Sequence, residues 1–464
     1  MPCCLRRPRT APEGPTGRAP FVTEWSSSMT PVQARLPASA NVDSNLTGAT
    51  RRYWTVRDAM ACWVLLMVTG WPLARWHPWR EVQWPAPAIP YPVFAAVVVC
   101  FVWVMSMSVI SERIPRWLSN ATAIAIALRF FAYEVRQRAA FGGAADNTEA
   151  LEIGARALLE GSNPYRFSTH TGNPIGPLLG GLLFVIPLFV LMKTLAFQNF
   201  LYWIGAARLA DSRVPGAGLA VVVLVASSPW SRATFPYLND NGVPALGVVI
   251  FGALGYRLAL ADAGWAPRLL WIAAFSCALD YRWTMWMVAL PYGAVFLRKF
   301  GLSKALTWLV PILTTTLALF FLPFLFPSGG YPRTISKLLS HSETPQGATG
   351  TILAIVATLL VLGAGTALVR TLAGVWAVMA ASLATLLIAL ALARLPGASF
   401  FEAFYQYFYY WYQGWVLVFG IAALVAADGK SKPLAIRPEG PRLGRSSKAG
   451  DWPLPPSPGP PSTR

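Results

Sequence analysis

Charged side chains are scarce in this chain, and their scarcity decides which solvent it folds in. Lys, Arg, Asp and Glu make up 12% of the 464 residues, whereas hydrophobic residues make up 55% and the mean hydropathy is +0.47. This balance is too apolar for a soluble domain of this length. Apolar runs such as "LTWLVPILTTTLALFFLPFLF" recur, and a helix of about 20 such residues crosses a bilayer. The sequence predicts an all-α polytopic membrane protein with about 12 transmembrane helices.

Cysteine and histidine are also sparse, which removes the usual signals of redox and metal chemistry. The five cysteines have no paired spacing, and three of them fall within apolar runs. With three histidines and no paired-carboxylate spacing, no essential metal or other cofactor is predicted. The net charge of +18 comes without a recognition motif, so nucleic-acid binding is not predicted either.

The basic residues that are present mark the ends of the chain and the short loops between spans. Residues 1–50 and 429–464 are basic, rich in Pro and without apolar periodicity, and we predict two disordered tails around a transmembrane domain at 51–428. No signal peptide is expected before the first span, because "RRYWTVRD" leads directly into it.

Loop charges predict which side each loop faces in a plasma membrane. By the positive-inside rule, both tails and the basic loops face the cytoplasm. These loops carry Arg113, Arg116, Arg208, Arg213, Arg298, Lys299 and Lys304. The outer side then receives the polar segments, which are a large loop at about 134–175, "SPWSRATFPYLNDNG", "DYRW" and "GGYPRTISKLLSHSETPQG". We therefore expect polar chemistry on the extracytoplasmic face.

The stretch "AADNTEALEIGARALLEGSNPYRF" collects an unusual share of the scarce acids. Asp146, followed three residues later by Glu149, is typical of a helix start, and Gly161 of a helix end. The sequence predicts an amphipathic extracytoplasmic helix at about 147–160. We expect an apolar face of Leu151, Ala155, Leu158 and Leu159 opposite a polar face of Glu152, Arg156 and Glu160.

An Asp followed by an amphipathic helix, "LLEGSNPY", a polar turn and "NPIGPLLGGLLFVIPLF" resembles the polytopic glycosyltransferases of the GT-C superfamily. The pattern is most similar to the bacterial polyprenyl-phosphate-mannose-dependent α-mannosyltransferase family. Weaker similarities lie in "NDNGVPAL" and "YRWTMWMVALP". The chain departs from the family in having two additional apolar segments before the Asp.

The resemblance implies transfer of a sugar from a polyprenyl-phosphate donor to a glycolipid or glycan acceptor, and it assigns the catalytic base to Asp146. A sugar hydroxyl needs such a base, whereas a phosphate leaving group needs positive charge instead of an acid. The predicted substrate- and phosphate-binding residues are Arg282, Arg232, Asp240, Asn163, Tyr165 and His341. Membrane lipid is the third expected partner, and Asp146 with Asp240 could bind a divalent metal weakly.

Simpler interpretations of the same residues stay open from the sequence. Asp146 and Asp240 are also typical helix caps. Asp280 and Arg282 are either a functional pair within an apolar segment or a marker of where a span ends. For the whole protein, a transporter or flippase of a polyprenyl-linked substrate is the alternative function, and a membrane partner without catalysis is a third.

Overall fold

A computed structural model describes residues 55–76, 91–105, 116–141, 146–170, 172–195, 198–212, 216–228, 242–326, 331, 345–392 and 409–426. These residues form α-helices, short 3-10 turns and one isolated β-bridge, which confirms the predicted all-α fold class. The two predicted disordered tails lie outside this described part of the chain, as do Arg113, Arg213, Arg232, Asp240 and His341.

Thirteen α-helices are numbered here in chain order within the described residues. They are α1 Val56–Trp76, α2 Tyr91–Met105, α3 Arg116–Phe141, α4 Asp146–Leu159, α5 Leu179–Met192, α6 Gln198–Asp211, α7 Ala217–Ser227, α8 Val243–Leu260, α9 Trp265–Leu279, α10 Ala289–Phe321, α11 Pro345–Leu368, α12 Leu372–Leu392 and α13 Tyr409–Ala426. The 3-10 turns are Pro164–Arg166, Trp283–Val288 and Leu322–Leu325.

Several of these helices have the length and composition of membrane spans. Four helical stretches are long and apolar enough to cross a bilayer, namely Val243–Leu260, Trp283–Leu325, Thr349–Leu368 and Leu372–Leu392. Shorter apolar helices accompany them, including α2, α5, α7 and α9. The structure therefore supports a membrane-embedded helical protein, and the number of 12 spans stays a prediction.

The longest helical stretch reverses direction at Gly301. This glycine has φ 78° and ψ 170°, a conformation that glycine adopts without a steric penalty. The rings of Phe296 and Trp308 lie 6.5 Å apart, although 12 residues of straight helix would separate them by about 18 Å. Helix α10 is thus a hairpin of two arms, 289–300 and 302–321, each of which packs against the other.

Glycines on α8 bring two large aromatic side chains into the bundle core. A Cβ atom at Gly252 would lie 2.7 Å from the ring of Trp376, and one at Gly255 would lie 2.1 Å from the ring of Trp271. The indole of Trp271 donates to the carbonyl oxygen of Phe251 at 2.7 Å, and the hydroxyl of Tyr292 donates to that of Gly252 at 2.8 Å. Small residues thus allow close packing with α9, α10 and α12, as in other membrane bundles.

Polar contacts gather the connecting turns of the bundle at one end. Lys304, just after the Gly301 turn, forms an ion pair with Asp262 in the turn between α8 and α9. The guanidinium of Arg257 donates to the hydroxyl of Ser212, after α6, at 2.7 Å. We call this the basic end, because segments 198–212, 255–270, 296–306 and 366–372 contain seven basic and two acidic residues. They are Arg208, Arg257, Arg268, Arg298, Lys299, Lys304 and Arg370 against Asp211 and Asp262.

Arg298 links the first arm of α10 to the last turn of α11. Its guanidinium donates to the carbonyl oxygens of Thr366 and Ala367, at 3.2 and 2.9 Å, and to that of Val369. The last carbonyls of a helix have no partner within the helix and carry partial negative charge, so a cation here both satisfies and neutralises them. Arg298, which was predicted in an inner loop, therefore stabilises the packing of α10 against α11 at this end of the bundle.

Replacing Arg298 by Ala should lower the free energy of unfolding by about 1 kcal/mol, because the helix end loses its charged donors. Reversible unfolding of the purified protein in mixed micelles measures the change. Lys299→Ala is the matched control, since it removes a neighbouring exposed charge. Equal stability of the two variants would contradict a capping role for Arg298.

Candidate functional site

The predicted amphipathic helix is present as α4, which begins at Asp146 and ends at Leu159. Leu151 and Ala155 are fully buried, in agreement with the predicted apolar face. Leu159, predicted on the same face, is 52% exposed. At 100° per residue, Leu159 is rotated about 80° from Leu151 and sits in the last turn, beside the bend that ends the helix.

Gly161 ends α4 as predicted, through a Schellman motif. Its φ is +72°, its amide donates to the carbonyl of Leu158 at 3.0 Å, and the next amide, of Ser162, donates to that of Ala157 at 2.8 Å. At the other side of the loop, α3 continues to Phe141, so the helix extends past the predicted loop start at 134. Residues such as those in "YEVRQRAA" end the apolar run but still favour helix.

The carboxylate of Asp146 contacts a loop 23 to 27 residues further along the chain. Its Oδ1 accepts a hydrogen bond from the hydroxyl of Thr169, and its Oδ2 accepts one from the side-chain amide of Asn173 at 3.0 Å. The loop itself is closed by the bridge between Ser168 and Pro174. Asp146 is partly exposed. Both oxygens of the Asp146 carboxylate are thus held by hydrogen bonds, and the residue remains partly exposed at the surface.

The next two acids of α4 fasten other parts of the same region. Glu149 accepts from the backbone amide of His170 at 3.2 Å and contacts the imidazole Nδ1 of that residue. Glu152 accepts from the amide of Leu195 at 3.1 Å and from the hydroxyl of Thr194 at 3.2 Å, just after α5. Glu152, predicted on a polar face with Arg156, also joins α4 to the chain just after α5. The acids of α4 therefore bind the loop at residues 169–173 and the chain just after α5.

Asn163 and Tyr165, both predicted substrate contacts, have packing roles in the structure. The side-chain oxygen of Asn163 accepts from the amide of Tyr165 at 3.0 Å and starts the 3-10 turn. The hydroxyl of Tyr165 donates to the carbonyl of Pro177 at 3.2 Å, and its ring packs edge-on against Tyr331 at 4.5 Å. Both residues are buried, so they shape the loop from within.

A close joint connects the start of α5 to the turn after α9. Asp280 is fully buried, and its Oδ2 accepts from the amide of Gly180 at 2.9 Å. The amide of Leu178 donates to the carbonyl of Tyr281, and that of Gly181 to the carbonyl of Asp280, both at 3.2 Å. A carboxylate at a helix N-terminus is favoured by the free amides there. Burial nevertheless raises the pKa of Asp280 to about 7, against the lowering effect of the Gly180 amide.

Arg282 follows this joint and approaches the loop from the other side. It is 9% exposed, and a Cβ atom at Gly176 would lie 3.0 Å from its Nη1. Gly176 is three residues after Asn173, which binds Asp146. The segment 173–176 therefore runs from the carboxylate of Asp146 to the guanidinium of Arg282, over three Cα–Cα steps of at most about 11 Å.

Thr169, Asn173 and Asp280 are the site residues whose roles were not predicted. Asp280 was paired with Arg282 in the sequence interpretation, yet its observed partner, Gly180, lies 100 residues away. The polar run "STHTGN" between a turn and an apolar segment is the available signal for the Asp146 partners. Among the described residues, no group of three or more His, Cys, Asp or Glu side chains could hold a metal.

Gly180→Ala should destabilise the protein by about 1 to 3 kcal/mol, because the new Cβ would lie 2.5 Å from that of Asp280 and 3.1 Å from the carbonyl oxygen of Cys277. Thermal unfolding in detergent measures the loss. Gly363→Ala is the control, since that helical glycine faces open space and should gain about 0.5 kcal/mol. An unchanged Gly180→Ala midpoint would refute the close joint.

The chain matches no protein-family model, no curated protein and no solved structure. Its site is therefore assigned from its own residues. These are an oriented, partly exposed carboxylate at Asp146, a nearly buried guanidinium at Arg282 and the short segment that connects them.

Proposed function

We propose that the protein is an integral-membrane glycosyltransferase of the GT-C type. It would transfer a sugar, mannose by resemblance, from a polyprenyl-phosphate donor to a glycolipid or glycan acceptor at the outer face of the plasma membrane. The proposal is supported by the membrane-length helices, by the motif around Asp146 and by the geometry of the loop that follows α4.

One observation carries the proposal, namely that the segment 173–176 binds an acid at its first residue and lies beside a cation at its last residue. Transfer from a sugar phosphate needs a base on the acceptor side of the anomeric carbon and positive charge on the phosphate side. Asp146 and Arg282 supply these two groups at opposite ends of a four-residue segment.

Asp146 would act as the general base. Its carboxylate takes the proton of the acceptor hydroxyl while the new bond to the anomeric carbon forms, and the bond from that carbon to the phosphate oxygen breaks. The electron pair leaves with the phosphate, so no acid partner is needed and the configuration inverts. Each carboxylate oxygen can accept more than one hydrogen bond, so Thr169 and Asn173 can orient the group without blocking it.

Arg282 would bind the phosphate of the donor. A guanidinium offers five donors in a fixed plane and pairs with two phosphate oxygens at once. Its low exposure reduces competition from water, which strengthens the interaction with developing negative charge. Gly176 leaves the space beside Nη1 that a larger residue would fill.

A transporter or flippase of a polyprenyl-linked substrate is the second candidate. The observation in its favour is the full burial of Asp280 between apolar helices, because ionisable groups at such positions are common in transport pathways. In the enzyme proposal, Asp280 instead holds the start of α5 through Gly180. The two candidates differ in whether a sugar becomes covalently bound to an acceptor.

Asp146→Asn should lower sugar transfer by about 100-fold or more, because the amide keeps the shape of the side chain and one accepting oxygen but cannot take a proton. Transfer is measured with membranes that contain the full-length protein, radiolabelled polyprenyl-phosphate-mannose and total envelope lipid. Glu149→Gln is the matched control, since Glu149 lies one helical turn away and fastens the same loop.

Comparing the activities of the two variants distinguishes a catalytic role of Asp146 from a role in holding the loop. If Asp146→Asn alone is inactive, Asp146 is the base. Equal losses in both variants would assign both acids to the loop structure, and full activity of Asp146→Asn would exclude it as the base. Label that crosses the membrane but remains on its polyprenyl carrier would favour the transporter.

A further inference from the structure

A polar cleft opens at the basic end of the bundle, far along the helices from Asp280. It has a volume of about 440 Å³ and lies between the α8–α9 turn, α9 and the second arm of α10. Its lining includes Asp262, Arg268, Phe300, Lys304, Thr307 and Trp308. We call it the basic cleft, because its two cations outnumber its one acid.

Both cations of the basic cleft are held against aromatic rings. The guanidinium carbon of Arg268 lies 4.9 Å from the ring centre of Trp308, and the Nζ of Lys304 lies 5.2 Å from that of Phe300. Lys304 also pairs with Asp262. Cation–π contacts restrict long flexible side chains, so less entropy is lost when these groups bind an anion.

Asp262 occupies a backbone conformation that usually selects glycine. Its φ is +47°, and the amides of Ala261 and Ala263 donate to the carbonyls of Arg257 and Leu258 at 3.0 Å in the C-terminal cap of α8. Asp tolerates this conformation better than most residues. A carboxylate at this position partly neutralises Lys304, which leaves the cleft with a net charge of +1.

The side of α9 next to Arg268 is apolar and exposed. Trp265 and Leu269, one turn apart on α9, are 76% and 55% exposed. Leu269 adjoins Arg268 in the chain, and Trp265 lies three residues before it. An exposed Trp next to a basic residue and a leucine is typical of the boundary between lipid tails and headgroups.

We propose that the basic cleft binds the phosphate headgroup of an anionic phospholipid at the cytoplasmic surface of the membrane. Arg268 and Lys304 contact the phosphate, and the acyl chains lie along Trp265 and Leu269. Basic pockets between membrane helices are suited to such headgroups. This site is separate from the region around Asp146, so its test does not depend on sugar transfer.

The test measures binding of phosphatidylglycerol and phosphatidylcholine to the full-length protein by native mass spectrometry after detergent exchange. Arg268→Gln and Lys304→Gln should each weaken phosphatidylglycerol binding about fivefold. Asp262→Asn should strengthen it, because Asn also tolerates a positive φ while the cleft gains one net positive charge. Lys299→Gln is the control, since Lys299 is at the basic end but does not line the cleft.

Each outcome decides the proposal. It is supported if the wild-type protein prefers phosphatidylglycerol and the three cleft variants shift binding in the stated directions while Lys299→Gln does not. It is overturned if Lys299→Gln weakens binding as much as Arg268→Gln, or if the cleft variants bind like the wild type. Equal competition by glycerol phosphate, which lacks acyl chains, would make this a site for a soluble phosphate and would also overturn it.

Discussion

The close approach of the α5 N-terminus to the turn at Asp280 is the constraint on which the rest of the candidate site depends. Two backbones can come this near only because Gly180 and Gly181 have no side chain, since a Cβ atom at either position would lie 3.0 Å or less from the Asp280–Tyr281 turn. The buried carboxylate of Asp280 then satisfies an amide of α5 that no residue of its own helix can reach. Close packing and a charged hydrogen bond thus stabilise the same contact, which is made by Gly180, Gly181 and Asp280.

This joint fixes the loop after α4 relative to the membrane helices, and the acids of α4 fix the loop from its other side. Asp146 and Glu149 bind residues between 169 and 173, and Glu152 binds the chain after α5. Arg282 reaches Gly176 because it directly follows the joint. A base that is to act on a substrate hydroxyl must be held in one orientation. The same contacts that give Asp146 a structural role would therefore also make it an effective base.

Local features of the molecule were predictable from the sequence, and contacts between distant residues were not. Helix α4 and its end at Gly161 follow from the acids of the first turn, the glycine at the end and 3.6-residue periodicity, which depend on neighbours in the chain. The pairing of Asp280 with Gly180 spans 100 residues, and no local pattern specifies it. The reversal at Gly301 lies within the predicted loop that carries Arg298, Lys299 and Lys304, because basic residues and a glycine between two apolar runs are a local signal for a turn.

The basic cleft and the Asp280 turn lie at opposite ends of helix α9. If α9 crosses the membrane, the two therefore face opposite sides of it. Arg268 and Asp280 are separated by 12 residues of α9 and its cap, or about 18 Å along a helix. If the basic end faces the cytoplasm, as its excess of Lys and Arg favours, the Asp280 turn and the loop of Asp146 face the opposite side. A polyprenyl-phosphate donor presented at the outer leaflet would then meet Arg282 at that surface, whereas a phospholipid of the inner leaflet would meet Arg268. Under the two proposals, the distribution of cations would therefore suit a different phosphate ligand at each face of the membrane.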